Sequence, residues 1–171
     1  NNGTLDISNT SGSLISSLAG SGNVQIANKT LTITNANDTF SGVISDSGLA
    51  GPGSLIIAGG TQTFESINTY LGPTQINSGS TLVLSGNGSI NNSSVVNATG
   101  TFDIGGTSGS AIKSLSGNGN VGLGSQNLNI TNANTTFSGV ISDGGLVKDS
   151  GGSLTIFSGT QTLSAGNNTY T

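Results

Sequence analysis

The strings in this sequence that look like nucleotide or reaction sites are built from glycine, serine and aspartate. Residues 117–122 read Gly-Asn-Gly-Asn-Val-Gly and fit the spacing of a dinucleotide-binding loop, whose glycines let a helix N-terminus hold a pyrophosphate. No helix-forming sequence follows, and the copy of this stretch that begins at Gly20 loses the third glycine. The string therefore predicts a turn.

A second string, Asp149 to Gly152, reads Asp-Ser-Gly-Gly and resembles the nucleophile loop of trypsin-like proteases. A serine nucleophile needs a base to take its proton, and in that class the base is a histidine. The chain has no His and no Cys, so it has no imidazole base, no thiolate nucleophile and no disulfide. We expect no catalytic residues.

The carboxylates are the remaining candidates for metal binding. Asp6 and Asp103, and likewise Asp46 and Asp143, are separated by 97 residues. We interpret this offset as four coils of a stacked β-structure, or roughly 19 Å, which is too far for two carboxylates to share an ion. The glycine-rich nonapeptide that binds calcium in β-rolls is absent. We expect neither a metal site nor a cofactor site.

The charge composition excludes a further class of partner. The 171 residues carry three lysines, no arginine and a net charge of −4. Nucleic-acid binding needs a basic surface that releases counterions from phosphate, so we expect no nucleic-acid partner. The longest apolar runs, such as residues 55–58, are far shorter than the roughly 20 residues that span a bilayer.

The elements that must position these groups follow from an internal repeat. Residues 3–70 return as residues 100–170, at an offset of 97 that slips to 99 and then 100 in segments rich in Gly, Ser and Pro. Thr34 begins the string TNANDTFSGVISD, which returns from Thr131 as TNANTTFSGVISD. Repeats of this kind are typical of solenoids, in which each unit packs on its neighbours.

A shorter unit recurs within each long repeat: a small or polar residue, Leu or Phe, any residue, then Ile or Leu. Its first apolar residue recurs at intervals of 20 to 27 residues, at Leu5, Leu31, Leu55, Leu82, Phe102, Leu128 and Leu154. The alternation predicts strands with one buried face, and good helix formers are scarce. We therefore predict an all-β chain, residues 1–171, folded as one β-solenoid of about seven coils.

Threonine pairs suggest another function for such a solenoid, because flat threonine arrays can order ice-like water. Thr-x-Thr occurs at residues 30–32, 32–34, 61–63 and 160–162. An ice-binding face needs the pair on every coil, and the Thr-Gln-Thr copies lie 99 residues apart. Ice or surface binding stays an alternative.

Two stretches resemble a known family. GGLVKDSGGSLTI from Gly144 and NTYLGPTQINSGSTLVL from Asn68 are similar to the passenger-associated transport repeat of bacterial autotransporters, which are secreted by the type V route. The resemblance covers residues 41–85 and 138–171. The chain departs from the repeat where Leu71-Gly72-Pro73 replaces Thr-Gly-Gly and where longer segments precede both Asn-Thr-Tyr strings.

The resemblance implies a right-handed parallel β-helix that forms part of a larger, surface-displayed passenger domain. Such a passenger crosses the outer membrane through a β-barrel of the same polypeptide, and it stays attached to the cell surface or is released. The function implied is that of a non-enzymatic adhesin or stalk in attachment to host cells or in biofilms, a role in virulence. Its partners would be a host-cell surface, a glycan or a sibling passenger.

An enzymatic alternative remains, since β-helices also form polysaccharide lyases and hydrolases. Glycoside cleavage needs two carboxylates within roughly 5 to 10 Å of each other. Stacking of coils could bring together Asp38, Asp46 and Glu65, which is the chain's one glutamate. The chain has only ten charged residues and no arginine, so few side chains could form such a catalytic site.

Overall fold

The computed structural model describes residues 2–46, 51–145 and 151–171, and these residues form strands and turns without a helix. Alternation of apolar with small polar residues produces short strands, and Gly, Asn and Ser end them in turns. The strands are β1 Thr4–Asp6, β2 Ser13–Ile15, β3 Asn23–Gln25, β4 Thr30–Ile33, β5 Thr39–Phe40, β6 Val43–Ser45, β7 Ser54–Ile57, β8 Thr61–Phe64, β9 Thr74–Ile76, β10 Thr81–Gly86, β11 Val96–Ala98, β12 Thr101–Thr107, β13 Ser110–Ile112, β14 Leu115–Ser116, β15 Asn120–Gly122, β16 Asn127–Ile130, β17 Thr136–Phe137, β18 Val140–Ser142, β19 Ser153–Ile156 and β20 Thr162–Leu163.

The strands stack in parallel as a β-solenoid of about seven turns, which confirms the predicted fold. The chain visits three sides of the coil in a fixed order. Side one carries β1, β3 and β6, and later β13, β16 and β19. Side two carries β2, β4, β7, β9, β11 and β14, and side three carries β5, β8, β10, β12, β15 and β18. The pair β17 and β20 continues side two, because β17 contacts β14.

The two long repeats do not lie one above the other. Strand β12 is the copy of β1 97 residues later, yet β1 belongs to side one and β12 to side three. The chain makes one and two thirds turns from β1 to β5 and three further turns from β5 to β12. The offset is therefore about four and two thirds turns of roughly 21 residues.

This rotation corrects two sequence-based interpretations. The 97-residue offset is not four coils, and the recurring five-residue units do not mark one strand per coil on one side. The unit at Leu55 lies on side two and the unit at Leu82 on side three. Consecutive units do stack in pairs, Leu31 on Leu55, Leu82 on Phe102 and Leu128 on Leu154, but each pair lies on a different side of the coil. The intervals between these pairs span more than one turn, which is why counting the recognisable units overestimated the coil length.

The core is one continuous stack of inward-pointing side chains. On side three, Leu82, Phe102, Val121 and Ile141 lie on successive turns and are fully buried. Full burial of each such side chain is worth about 1.5–3 kcal/mol. Because each turn covers the apolar face of its neighbours, the stack stabilises the chain turn by turn.

Several glycines permit the close approach of neighbouring turns. A Cβ added to Gly42 would lie 1.8 Å from the carbonyl oxygen of Gly22, one turn away. The equivalent glycine of the second repeat, Gly139, has the same relation to Gly119 at 1.9 Å. These glycines are required by packing between turns.

Candidate functional site

The Thr-Gln-Thr strings place their glutamines inside the coil. Gln62 is fully buried, and its amide nitrogen, Nε2, donates to the carbonyl oxygens of Leu18 at 2.9 Å and Asp38 at 3.0 Å. Its Oε1 accepts from the Leu18 N–H at 3.2 Å. The side chain thus replaces a missing length of strand and joins three turns.

Gln161, in the second repeat, makes the same contacts. Its Nε2 donates to the carbonyl oxygens of Leu115 at 2.8 Å and Thr135 at 3.0 Å, and its Oε1 accepts from the Leu115 N–H at 3.3 Å. The recurrence of Thr-Gln-Thr therefore has a structural cause. On side three, outward-pointing Thr61, Thr81 and Thr101 do stack on consecutive turns, but Asn120 takes the next position.

The Asn-Thr-Tyr string also serves to hold turns together. Buried Asn68 accepts from the Ile44 N–H through Oδ1 at 2.9 Å and donates to the carbonyl oxygen of Ser66 at 3.0 Å. The hydroxyl of buried Tyr70 lies 2.7 Å from Thr74 Oγ1, which lies 2.9 Å from Ser93 Oγ. Burial raises the pKa of Tyr70 far above its ordinary value, so the phenol stays protonated.

Asp46 fixes the backbone of two neighbouring turns. Its carboxylate is buried and accepts from the N–H groups of Gly53 at 3.1 Å and Leu71 at 2.8 Å. Burial raises the pKa of this carboxyl, and the two hydrogen bonds oppose the rise. The group is a structural acceptor between turns.

Asp143, the copy of Asp46 in the second repeat, also accepts hydrogen bonds from the backbone, but from a more exposed position. It accepts from the N–H groups of Gly151, Gly152 and Thr171 and from the Thr171 hydroxyl. Burial acts to raise the pKa of Asp143, but these hydrogen bonds together outweigh it and hold the pKa below its ordinary value.

The second pair of repeated aspartates is not equivalent in three dimensions. Asp6 is exposed, and hydrogen bonds from the Ser8 hydroxyl and from the Ser8 N–H, the latter at 2.8 Å, lower its pKa. Asp103 is 1% exposed and accepts from the Gly105 N–H at 2.9 Å. Gly122 stands where the first repeat has Gln25, and the backbone of residues 144–145 enters the space left by the missing side chain.

A polar cleft of about 380 Å³ lies over Asp103 on side three. Thr81, Thr101, Asn120 and Ser142 line it together with the backbone of residues 144–145. A single carboxylate and neutral hydroxyls do not supply the two carboxylates of a glycosidase. Among the described residues there is no group of three or more His, Cys, Asp or Glu side chains that could hold a metal.

The other strings that look chemical take structural positions. Residues 120–122 of the glycine-rich string form β15, and no helix follows it within residues 123–145 and 151–171. A Cβ on Gly119 would lie 2.0 Å from the carbonyl oxygen of Gly100, so packing accounts for that glycine. In the protease-like string, Asp149 and Ser150 lie outside the described residues. Gly152, from the same string, donates its N–H to Asp143.

The carboxylates proposed for the enzymatic alternative lie on two sides of the coil. Asp38 immediately precedes β5, and Glu65 immediately follows β8 on the same side of the coil. Asp46 follows β6 on side one. The one lysine contact among the described residues links Lys113 Nζ to the carbonyl oxygen of Asn92 at 2.7 Å.

One exposed surface is left without a structural explanation. We call it the amide-hydroxyl row: Asn35, Asn37, Thr39 and Ser41 in the first repeat, with its copy in the second. All four side chains are exposed, and the pattern of burial over residues 34–45 is the same as over residues 131–142. The copy consists of Asn132, Asn134, Thr136 and Ser138.

The backbone that carries the row is reproduced as well. Thr34 and Asn35 donate their N–H groups to the carbonyl oxygens of Ile15 and Ser16, and residues 131 and 132 do the same to Ile112 and Lys113. Sequence reasoning recognised this string as part of the repeat but did not single out its exposed residues. The identity of exposed positions in both copies is the signal that could have found them.

No helix in the described part of the chain has the length and apolar character needed to cross a membrane. Comparison of the chain with family models, with curated proteins and with solved structures finds no match.

Proposed function

We propose that this chain is a non-enzymatic segment of a rod that is displayed outside a bacterial cell, where it acts in attachment as an adhesin or stalk. The sequence resemblance to autotransporter passengers suggests type V secretion as the route to the surface. A host-cell surface, a glycan or a sibling passenger is the corresponding partner.

The observation that carries this proposal is that the recurring motif residues are used to hold the turns together. Gln62, Asn68 and Asp46 each bond the backbone of two or three turns. The core beside them continues from turn to turn. A stack of this kind is an extended, regular scaffold, which suits it to carry a contact surface at a distance from its anchor.

The low charge supports contact through short-range interactions. Ten charged residues in 171 give little long-range electrostatic steering, so a partner must be held by hydrogen bonds and packing at the rod surface. Exposed Asn, Thr and Ser side chains supply donors and acceptors for such contacts.

The test is an attachment assay with the purified chain. Beads that carry the chain through a single terminal biotin are washed under flow over epithelial cells and over a bacterial lawn. Beads that carry an unrelated acidic protein of similar size are the control. An adhesin role predicts greater retention of the first set, and equal retention of both sets contradicts that role.

The non-enzymatic part of the proposal has its own test. The chain is incubated with neutral and acidic polysaccharides, and new reducing ends and unsaturated sugars are measured. We expect neither above the level of a heat-denatured sample. Turnover that increases with the concentration of folded chain contradicts the proposal and favours a β-helix lyase or hydrolase.

A further inference from the structure

The amide-hydroxyl row has unused hydrogen-bonding capacity. Within the described residues, the side-chain amides of Asn35, Asn37 and Asn132 make no hydrogen bond, and neither do the hydroxyls of Thr39 and Thr136. An amide offers two donors and an acceptor, and a hydroxyl offers one donor and two acceptor lone pairs. These five side chains can therefore bond a partner without first breaking bonds within the chain, whereas Ser41, Asn134 and Ser138 already bond neighbouring turns.

The fold does not require these exposed residues to be identical in the two repeats. Elsewhere, exposed positions of the first repeat often differ from their copies, as Asn9, Ser16, Ser21 and Asn28 do. Between residues 34 and 46, every exposed position is identical to its copy. Packing explains the identity of buried neighbours such as Phe40, but it does not explain Asn35 or Thr39.

The chemistry of the row indicates the class of partner. No exposed residue of the row is charged or aromatic, so it lacks the groups that hold phosphate, sulfate or carboxylate ligands. Exposed amides and hydroxyls on alternate residues of the chain supply the donors and acceptors that bond the hydroxyls of a sugar chain. Building on the proposed function, we propose that each copy of the row is a contact site for an uncharged, hydroxyl-rich glycan.

The rotation between repeats gives this proposal a second part. The first row leads into and includes the side-three strand β5, and its copy leads into and includes β17, which continues side two. The two rows therefore face different sides of the rod and are separated by roughly 22 Å along its axis, for turns about 4.8 Å apart. One chain presents two separate sites, so it bridges two glycan-bearing surfaces.

The experiment uses the whole chain and three variants. N35A/T39A removes the first row, N132A/T136A removes the second, and the combination of all four removes both. The matched control is N9A/S21A, which alters exposed positions that differ between the repeats. Circular dichroism and the unfolding midpoint establish that each variant folds as the parent does.

Binding is measured on an array of uncharged and acidic glycans, and bridging by the aggregation of glycan-coated beads. We expect the parent and N9A/S21A to bind an uncharged glycan and to aggregate beads. The fourfold variant should bind at least tenfold more weakly, and each double variant should bind but fail to aggregate beads. Absence of binding to any uncharged glycan, or undiminished binding by the folded fourfold variant, overturns the glycan site.

The experiments distinguish failure of the glycan site, failure of the bridging geometry and failure of the proposed function. Bead aggregation that persists in both double variants overturns the bridging geometry. If the fourfold variant still mediates attachment to cells under flow, the proposed function stands and the row is not its contact site. If the parent itself gives no attachment, the adhesin role in the proposed function fails.

Discussion

Replacing Gln62 with methionine should loosen the first turns of the stack without changing the shape of the core. Methionine has nearly the same length as glutamine but makes no comparable hydrogen bonds. In Gln62→Met, the N–H and the carbonyl oxygen of Leu18 both lose the partner that the Gln62 amide provides. The carbonyl oxygen of Asp38 keeps its bond from the Thr63 N–H.

The magnitude follows from those two Leu18 groups. A buried backbone group left without a partner costs about 1–3 kcal/mol, so the two groups cost about 2–6 kcal/mol together. Burying a thioether in place of an amide offsets part of this cost. We expect a net loss of about 2–4 kcal/mol, which corresponds to a roughly 30- to 800-fold increase in the opening equilibrium.

Native-state hydrogen exchange at the Leu18 amide is the appropriate assay, because a solenoid opens locally from its ends and a global midpoint would hide the effect. The Val121 amide, several turns away on side three, reports whether the change stays local. The control is Gln75→Met, because the Gln75 amide makes only long contacts of 3.4 Å to Ile76 and Thr99.

The expected result is faster exchange at Leu18 in Gln62→Met, with Val121 unchanged and with Gln75→Met like the parent. Equal Leu18 exchange in Gln62→Met and in the parent would refute the reasoning, because the Gln62 amide would then contribute nothing to the joining of turns.

Three further predictions concern the same stack. Gly42→Ala should destabilise the chain by about 1–3 kcal/mol in urea unfolding, because its Cβ would meet the Gly22 carbonyl, whereas Gly166→Ala meets nothing within 4 Å and should change little. Tyr70→Phe should cost about 1–2 kcal/mol in the same assay, because Thr74 loses its bond to the buried phenol. The folded-state pKa of Asp46 is raised, so its contribution to stability is full below the unfolded pKa of about 3.9 and is lost as the pH rises through the folded pKa. The folded-state pKa of Asp143 is lowered, so its contribution to stability is present above about pH 3.9 and is lost as the pH falls through the folded pKa. Relative to the parent, the unfolding midpoint of Asp46→Asn should therefore improve as the pH rises from 3 to 7, and that of Asp143→Asn should worsen. Changes of the same sign in both variants would contradict this.

The fold class could be predicted from the sequence because it depends on local alternation. Leu31 and Ile33 alternate with Thr30 and Thr32, and the structure buries the first two and leaves the others partly exposed. Such alternation identifies strands and their buried faces without knowledge of their neighbours. The repeat then indicated that the strands stack.

The pairing of strands could not be predicted in the same way. Leu82 lies beside Gln62 and Phe102, whereas the similar unit at Leu55 lies beside Leu31 and Thr74. Any two alternating strands can stack, so a similar sequence is not enough to identify a neighbour in space: the units at Leu31 and Leu55 stack, whereas those at Leu55 and Leu82 lie on different sides. The length of the turns decides the pairing, and small turn residues carry little information about it.

The roles of the polar motif residues were also hidden from sequence reasoning. Gln62 lies between two threonines on a strand, a pattern typical of a solvent-facing ladder. Strand β5 is only two residues long, and the Gln62 amide bonds the backbone of Asp38, immediately before this short strand on side three, and of Leu18, one turn away. The same lack of three-dimensional neighbours made Asp6 and Asp103 look equivalent, although only the second is buried.

The measurement that tests the three-sided stack most directly is cysteine cross-linking of chosen pairs in a chain that has no cysteine of its own. Thr61 pairs with Thr81 on side three, and Thr30 pairs with Ser54 on side two. Cα atoms on adjacent strands are about 4.8 Å apart, within the range of a disulfide. We expect T61C/T81C and T30C/S54C to form intramolecular disulfides on oxidation, and S54C/T81C to form none. Efficient cross-linking of S54C/T81C, with none in T61C/T81C, would contradict the assignment of the similar units at Leu55 and Leu82 to different sides and place them one above the other.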